Sequence, residues 1–206
     1  MARYGLVHLY NNFHGTITDL TRIVTILASR QQSLERDVHI EGCFLRAVVT
    51  WENFIEAYFL RCMCSAKTRN GATLKPKTPC FTNMEQAFNR VKATNRIREQ
   101  EYANWLSNVI IKQLALDYFH HRSRLHRIYE DPDRLYALVT IRNAIAHRSR
   151  SAVSKFENYV INRHGYLANI NPSMAELLIT KNRTNSKLIF LDLTDYFDEL
   201  AEILIK

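Results

Sequence analysis

The stretch that most constrains this chain runs from Asp131 to Arg150, DPDRLYALVTIRNAIAHRSR. Its start is prepared for a helix. Asp131 can cap it, and Pro132 suits a first position that needs no backbone N–H. Leu135, Leu138, Val139, Ile145 and Ala146 then recur at helical spacing. Leu135 to Ile141 carries no charge, and the opposite side is small: Ala137, Thr140 and Ala144. A helix without a charged face is usually covered on several sides. The spacing therefore predicts a helix that is either central in its own domain or pressed against a second copy. Arg142 interrupts the stripe. At about 100° per residue it falls between Leu138 and Ile145 on one side and Val139 and Ala146 on the other. A guanidinium cannot shed its proton and is costly to bury alone. Asn143 and His147, four apart, lie on a neighbouring stripe with Tyr136 and Thr140.

The rest of the chain repeats the helical theme. Only five Gly and four Pro occur in 206 residues, and apolar positions mostly follow the helical period, so the expected class is all-α. A single domain over residues 1–206 is expected, with residues 1–15 as an N-terminal extension. A first helix is expected from Thr16 to Glu35, with Ile17, Leu20, Ile23, Val24 and Leu27 inward. A second, from Ile40 to Ser65, puts Phe44, Val48, Trp51, Ile55, Tyr58, Phe59 and Cys62 on one face. Glu52 falls among apolar neighbours there. Either it reaches water at the rim, or it answers Arg142 as one buried ion pair. Thr82 and Glu85 fit a capping box for a helix over Met84 to Lys92. Residues Thr94 to Tyr102 are polar and ambiguous, and Trp105 to Leu116 reads helical. Further helices are expected over Ser154 to Asn162 and from Asn171-Pro172. Lys187 to Leu191 (KLIFL) reads as a strand or a short extended strap before a last helix, Thr194 to Leu204.

The formal charge of +8 and a pI near 9.4 favour a polyanionic partner, nucleic acid first. Basic segments are Lys67 to Pro79, His120 to Arg127, and Arg148 and Arg150, the last two being the expected RNA-binding cations beside the central helix. Cys43, Cys62, Cys64 and Cys80 lack zinc-ligand spacing and read as reduced thiols of a cytoplasmic protein. No charged-then-apolar leader or bilayer-length uncharged run occurs, so no membrane partner is expected. There is no phosphate-cradling glycine loop, no HExxH and no GxSxG. No cofactor and no metal site is therefore expected. What remains is Arg142, Asn143 and His147. His moves protons near neutral pH, Arg holds phosphate and offsets charge growing on it, and Asn can orient a ring nitrogen or touch substrate. Those are the parts for cutting RNA through its own 2′-hydroxyl, which leaves DNA inert. Each also has a structural reading: His147 as a helix-end cation, Arg142 as an ion-pair member. Five residues set Arg142 and His147 about 140° apart on an ideal helix, so either the helix loosens near His147 or a second chain completes the site.

RNAIAH, Arg142 to His147, resembles the Arg-x4–6-His signature of the HEPN superfamily (higher eukaryotes and prokaryotes nucleotide-binding), in which a polar residue, often Asn, follows the Arg. WENFIEAYF, residues 51–59, is similar to the early helix of free-standing HEPN proteins, and Glu52 matches its Glu loosely. The resemblance covers Thr16 to the C-terminus. It implies an all-α HEPN-like helical bundle that dimerises around the motif helix and forms one composite, metal-independent endoribonuclease site. By position, Arg142 is the phosphate-stabilising cation, His147 the acid or base, and Asn143 the auxiliary polar residue. The resemblance also implies a role as a toxin, in antiviral defence or in RNA processing, with an antitoxin or other partner protein. Ser149 stands where the toxin branch paired with a nucleotidyltransferase antitoxin has a Tyr, which puts that mode of regulation in doubt. The alternative is a catalytically silent helical RNA-binding or adaptor module.

Overall fold

A computed structural model of the chain describes residues 5–74, 76–94, 105–120, 123–164 and 172–206. The class is all-α. Among the described residues the helices are α1 (Leu6–Ala28), α2 (Leu34–Met63), α3 (Met84–Thr94), α4 (Asn108–Tyr118), a 3-10 helix (Arg124–Tyr129), α5 (Pro132–His147), α6 (Arg150–His164), α7 (Met174–Ile179) and α8 (Ile189–Ile205). Extended pairing in this set is limited to isolated bridges: Lys67 with Thr73, Pro76 with Phe119, and Lys181 with Leu188.

Two compact units divide the chain. One comprises Met1–His14, Trp51–Leu135 and Glu199–Lys206, the other Gly15–Thr50 and Tyr136–Asp198. In the first, Phe13 packs on Phe54 and Trp51, with ring centroids 4.8 and 5.9 Å away. Phe59 sits between Trp105 and Phe119, at 5.3 and 5.2 Å. Aromatic pairs of this kind add to what their buried area contributes. The buried Tyr58 hydroxyl donates to the Leu204 carbonyl at 2.9 Å, and the Trp105 indole donates to Glu56 at 2.8 Å. In the basic Lys67–Pro79 segment, whose Lys75 lies outside the described residues, Arg69 is pinned. The Arg69 N–H donates to the Ile205 carbonyl at 2.7 Å, and its guanidinium lies 5.7 Å from the Tyr10 ring centroid.

In the second unit, Phe44 meets Phe190 edge-on. Arg36 forms a buried clamp. It holds Asp37 at 2.8 Å, the Arg30 carbonyl at 3.3 Å, and Glu176 of α7. So buried a cation persists only with its hydrogen-bonding capacity filled.

Several boundaries depart from the sequence reading. Of the expected N-terminal extension, residues 1–4 lie outside the described residues, and from Leu6 onward it is helix α1, with Leu6, Tyr10 and Phe13 buried. Gly15-Thr16 resembles a helix start, but the apolar spacing continues N-terminally through it. Packing there outweighs the roughly 1 kcal/mol a helical glycine costs. Helix α1 also ends at Ala28, because Ser33 starts α2 by accepting the Arg36 N–H at 3.1 Å. Ile23, assigned to the core, is 37% exposed. Helix α3 is capped by Asn83, which accepts the Gln86 N–H at 2.9 Å, whereas Thr82 bonds the Gln86 side chain. Helix α7 is capped by Ser173 rather than opening at Asn171, which lies outside the described residues, as do 95–104. The strap shrinks to the Leu188 bridge, since Ile189, Phe190 and Leu191 already belong to α8 and the first two are buried.

Candidate active site

Helix α5 starts as its sequence suggests, with Asp131 accepting the Arg134 N–H at 3.1 Å. Leu135, Ala137, Leu138, Thr140, Ile141, Ala144 and Ile145 are buried. Tyr136 is 58% exposed, Val139, Arg142 and Asn143 are half-buried, and Ala146 and His147 are exposed. At about 100° per residue, these last six span an arc of about 140°. From Leu135 onward the helix is therefore covered on all but one face, and that face carries the motif.

Arg142, expected in the middle of an apolar core stripe, lies instead at one edge of the open arc, because Val139 and Ala146 face outward with it. Glu52 is half-buried as well. The hydrogen bonds of Arg142 run to Asn143 and His147.

His147 marks the other edge of the arc, with Asn143 between. The guanidinium closes the gap. Arg142 Nη1 donates to Asn143 Oδ1 at 2.9 Å and stands 3.4 Å from His147 Nε2. Two facts make this reach possible. Side chains on a helix lean towards its N-terminus, so His147 tilts back over the preceding turn. The arginine stem is also long enough to span the azimuth. A neutral ring carrying its proton on Nδ1 is the form in which Nε2 can accept from Arg142. The 3.4 Å separation is a loose contact.

The helix ends at His147. Arg148 adopts a left-handed conformation (φ 44°) with its N–H on the Ala144 carbonyl at 3.2 Å. Ser149 then opens α6, accepting the Ala152 N–H at 3.3 Å. Of the two expected RNA-binding arginines, Arg148 pairs through Nη2 with Glu41 Oε2 on α2 at 2.7 Å, with its side chain still 65% exposed. Arg150 is exposed at the first position of α6. Glu41 escaped the sequence reading, and its only signal there was a carboxylate between Ile40 and Gly42.

The basic strip His120–Arg127 is partly structural. Leu125 and Ile128 are buried, His126 bonds the Tyr129 hydroxyl, and Arg127 pairs with Glu130 at 2.8 Å. Its His121 and Arg122 lie outside the described residues. All four cysteines are free thiols. Among the described residues, no group of three or more His, Cys, Asp or Glu is placed to hold a metal ion, and no helix is long and apolar enough to cross a membrane. No protein-family model, curated protein or solved structure matches the chain.

Proposed function

We propose that this protein is a HEPN-type endoribonuclease that needs no metal and uses Arg142, Asn143 and His147. The observation that carries this reading is the Arg142–Asn143–His147 constellation, at 2.9 and 3.4 Å, on the one open face of an otherwise buried helix. His147 Nε2 takes the proton of an RNA 2′-hydroxyl. The freed oxygen attacks the adjacent phosphorus. Arg142 leaves its loose contact to hold the phosphorane's non-bridging oxygens, and Asn143 keeps the guanidinium oriented. The bond to the 5′-oxygen breaks, an acid protonates that oxygen, and a 2′,3′-cyclic phosphate remains.

One chain offers one such histidine, whereas the reaction asks for a base and an acid. A two-fold dimer on the open face of α5 supplies both, and isologous dimers are the commonest assembly. Tyr136, Val139 and Ala146 around the motif favour it, since an exposed apolar patch beside polar groups marks an association surface. The charge of +8 suits an RNA substrate, with Arg150 as a further phosphate contact. Glu52 has no step in this scheme. A toxin or defence role in the cytoplasm, restrained by an antitoxin or another protein, is the setting in which such an activity makes sense.

The test is single-stranded RNA and its DNA counterpart incubated in EDTA with wild type and with His147→Ala. Wild type should cut RNA alone and leave cyclic-phosphate ends, with the variant slower by about 10²-fold or more. RNA binding without cleavage by either protein would make the chain a silent adaptor.

A further inference from the structure

We propose that Glu41 is a positioning residue that ends the motif helix at His147 through its ion pair with Arg148. The proposal rests on the reading of Arg142 and His147 as the cleaving pair. Residues 133–164 contain neither glycine nor proline. The local signal for a break is Ser149, a good N-cap for the next helix, and α5 stops at His147 before α6 begins at Arg150.

The break falls on Arg148, whose left-handed backbone is unfavourable by roughly 1–2 kcal/mol for a residue with a Cβ. The Ser149 cap offsets part of that, and a contact from elsewhere adds to it. Glu41 supplies that contact. Its carboxylate, on α2, receives Arg148 Nη2 at 2.7 Å; Glu41 is only 8% exposed, whereas the Arg148 side chain is 65% exposed, so water screens the pair from one side. A carboxylate so covered loses much of its water and gains most from a charged donor. Ser149 can then cap α6, which it does by accepting the Ala152 N–H.

The consequence reaches the site by one residue. Because the chain turns at Arg148, His147 is the last residue of α5, and its Nε2 lies 3.4 Å from Arg142 Nη1. If α5 ran on into α6, the next turn would cover His147 and restrict its approach to substrate. Glu41 touches no reacting atom here; it acts through the turn.

A double-mutant cycle with Glu41→Ala and Arg148→Gly tests this, because glycine adopts the left-handed conformation without help. Two readouts are taken: the 13Cα shift at position 148 with the His147 ring resonances, and RNA turnover. With Arg148 in place, Glu41→Ala should move the 148 shift towards helical values and displace the His147 resonances. It should lower kcat about tenfold or more with KM within about twofold. In the Arg148→Gly background the same substitution should alter kcat by less than about threefold. Equal losses in both backgrounds, or an unmoved 148 shift, would overturn the proposal. Should Glu41→Ala not fold, Glu41→Gln, nearly identical in shape, carries the same cycle. If the wild type cuts no RNA, the ribonuclease reading fails, while the resonances still decide whether Glu41 sets the turn.

Discussion

Arg142 and His147 show how much a single side chain's length can change. Their Cα positions diverge by about 140° around the helix, too far for two short side chains to meet. A guanidinium on a three-carbon stem crosses that arc and still reaches Asn143 on the way. Lysine at the same position would present one point charge and could not hold both partners in a plane. Burial sorts the cysteines at the same scale. Cys62 is fully buried, and its thiol is pushed up to about 12 chiefly by that burial. At pH 8 its thiolate fraction is therefore on the order of 10⁻⁴, and the thiolate is the reacting form. Native protein treated with iodoacetamide at pH 8 should be modified at the exposed Cys80 and untouched at Cys62, as read by peptide mass spectrometry. Alkylation of Cys62 as fast as Cys80 would contradict its placement.

Helix α1 carries Gly15 in its interior, and a Cβ added there meets nothing within 4 Å. Gly15→Ala should raise stability by about 1 kcal/mol, through helix propensity and a less free unfolded chain. That corresponds to a rise in Tm of roughly 2–4 °C for a chain of this length. A fall in Tm would mean that residue 15 is not helical. The clamp at the start of α2 is the opposite case. Arg36→Met removes the cation shared by Asp37 and Glu176 and leaves two carboxylates facing each other. The expected loss is about 2–3 kcal/mol in urea unfolding, below the value for a wholly buried pair because Glu176 regains water. A change under about 0.5 kcal/mol would mark Arg36 as an ordinary surface residue. Both cases explain why helix ends were harder to read than helix middles. Gly15-Thr16 imitates a start, and the true stops at Ala28 and His147 depend on Ser33 and Glu41.

At the scale of the whole molecule, the proposed reaction is a statement about assembly. The open face of α5 places Tyr136, 58% exposed, beside the motif. A dimer seated there should fail when that residue becomes charged. Tyr136→Arg is expected to convert the species seen by analytical ultracentrifugation from dimer to monomer, and to abolish cleavage although Arg142 and His147 remain. A wild-type chain that sediments as a monomer while cutting RNA would refute the composite site. A monomeric variant that keeps full activity would do the same.

The helical class, the middle of nearly every helix, the aromatic face of α2 and the three polar residues of the motif were all legible in the sequence. They follow from local periodicity and from chemistry that few residue types can perform. What tertiary structure alone decided is where those residues point. Whether Val139 and Ala146 face core or solvent depends on what packs against α5, and that turned Arg142 from an expected core ion into one edge of an open arc. Where α5 ends depends on a carboxylate 107 residues away in the chain. A spacing rule sees only neighbours along one helix, whereas burial and long-range charge pairing are properties of the folded chain.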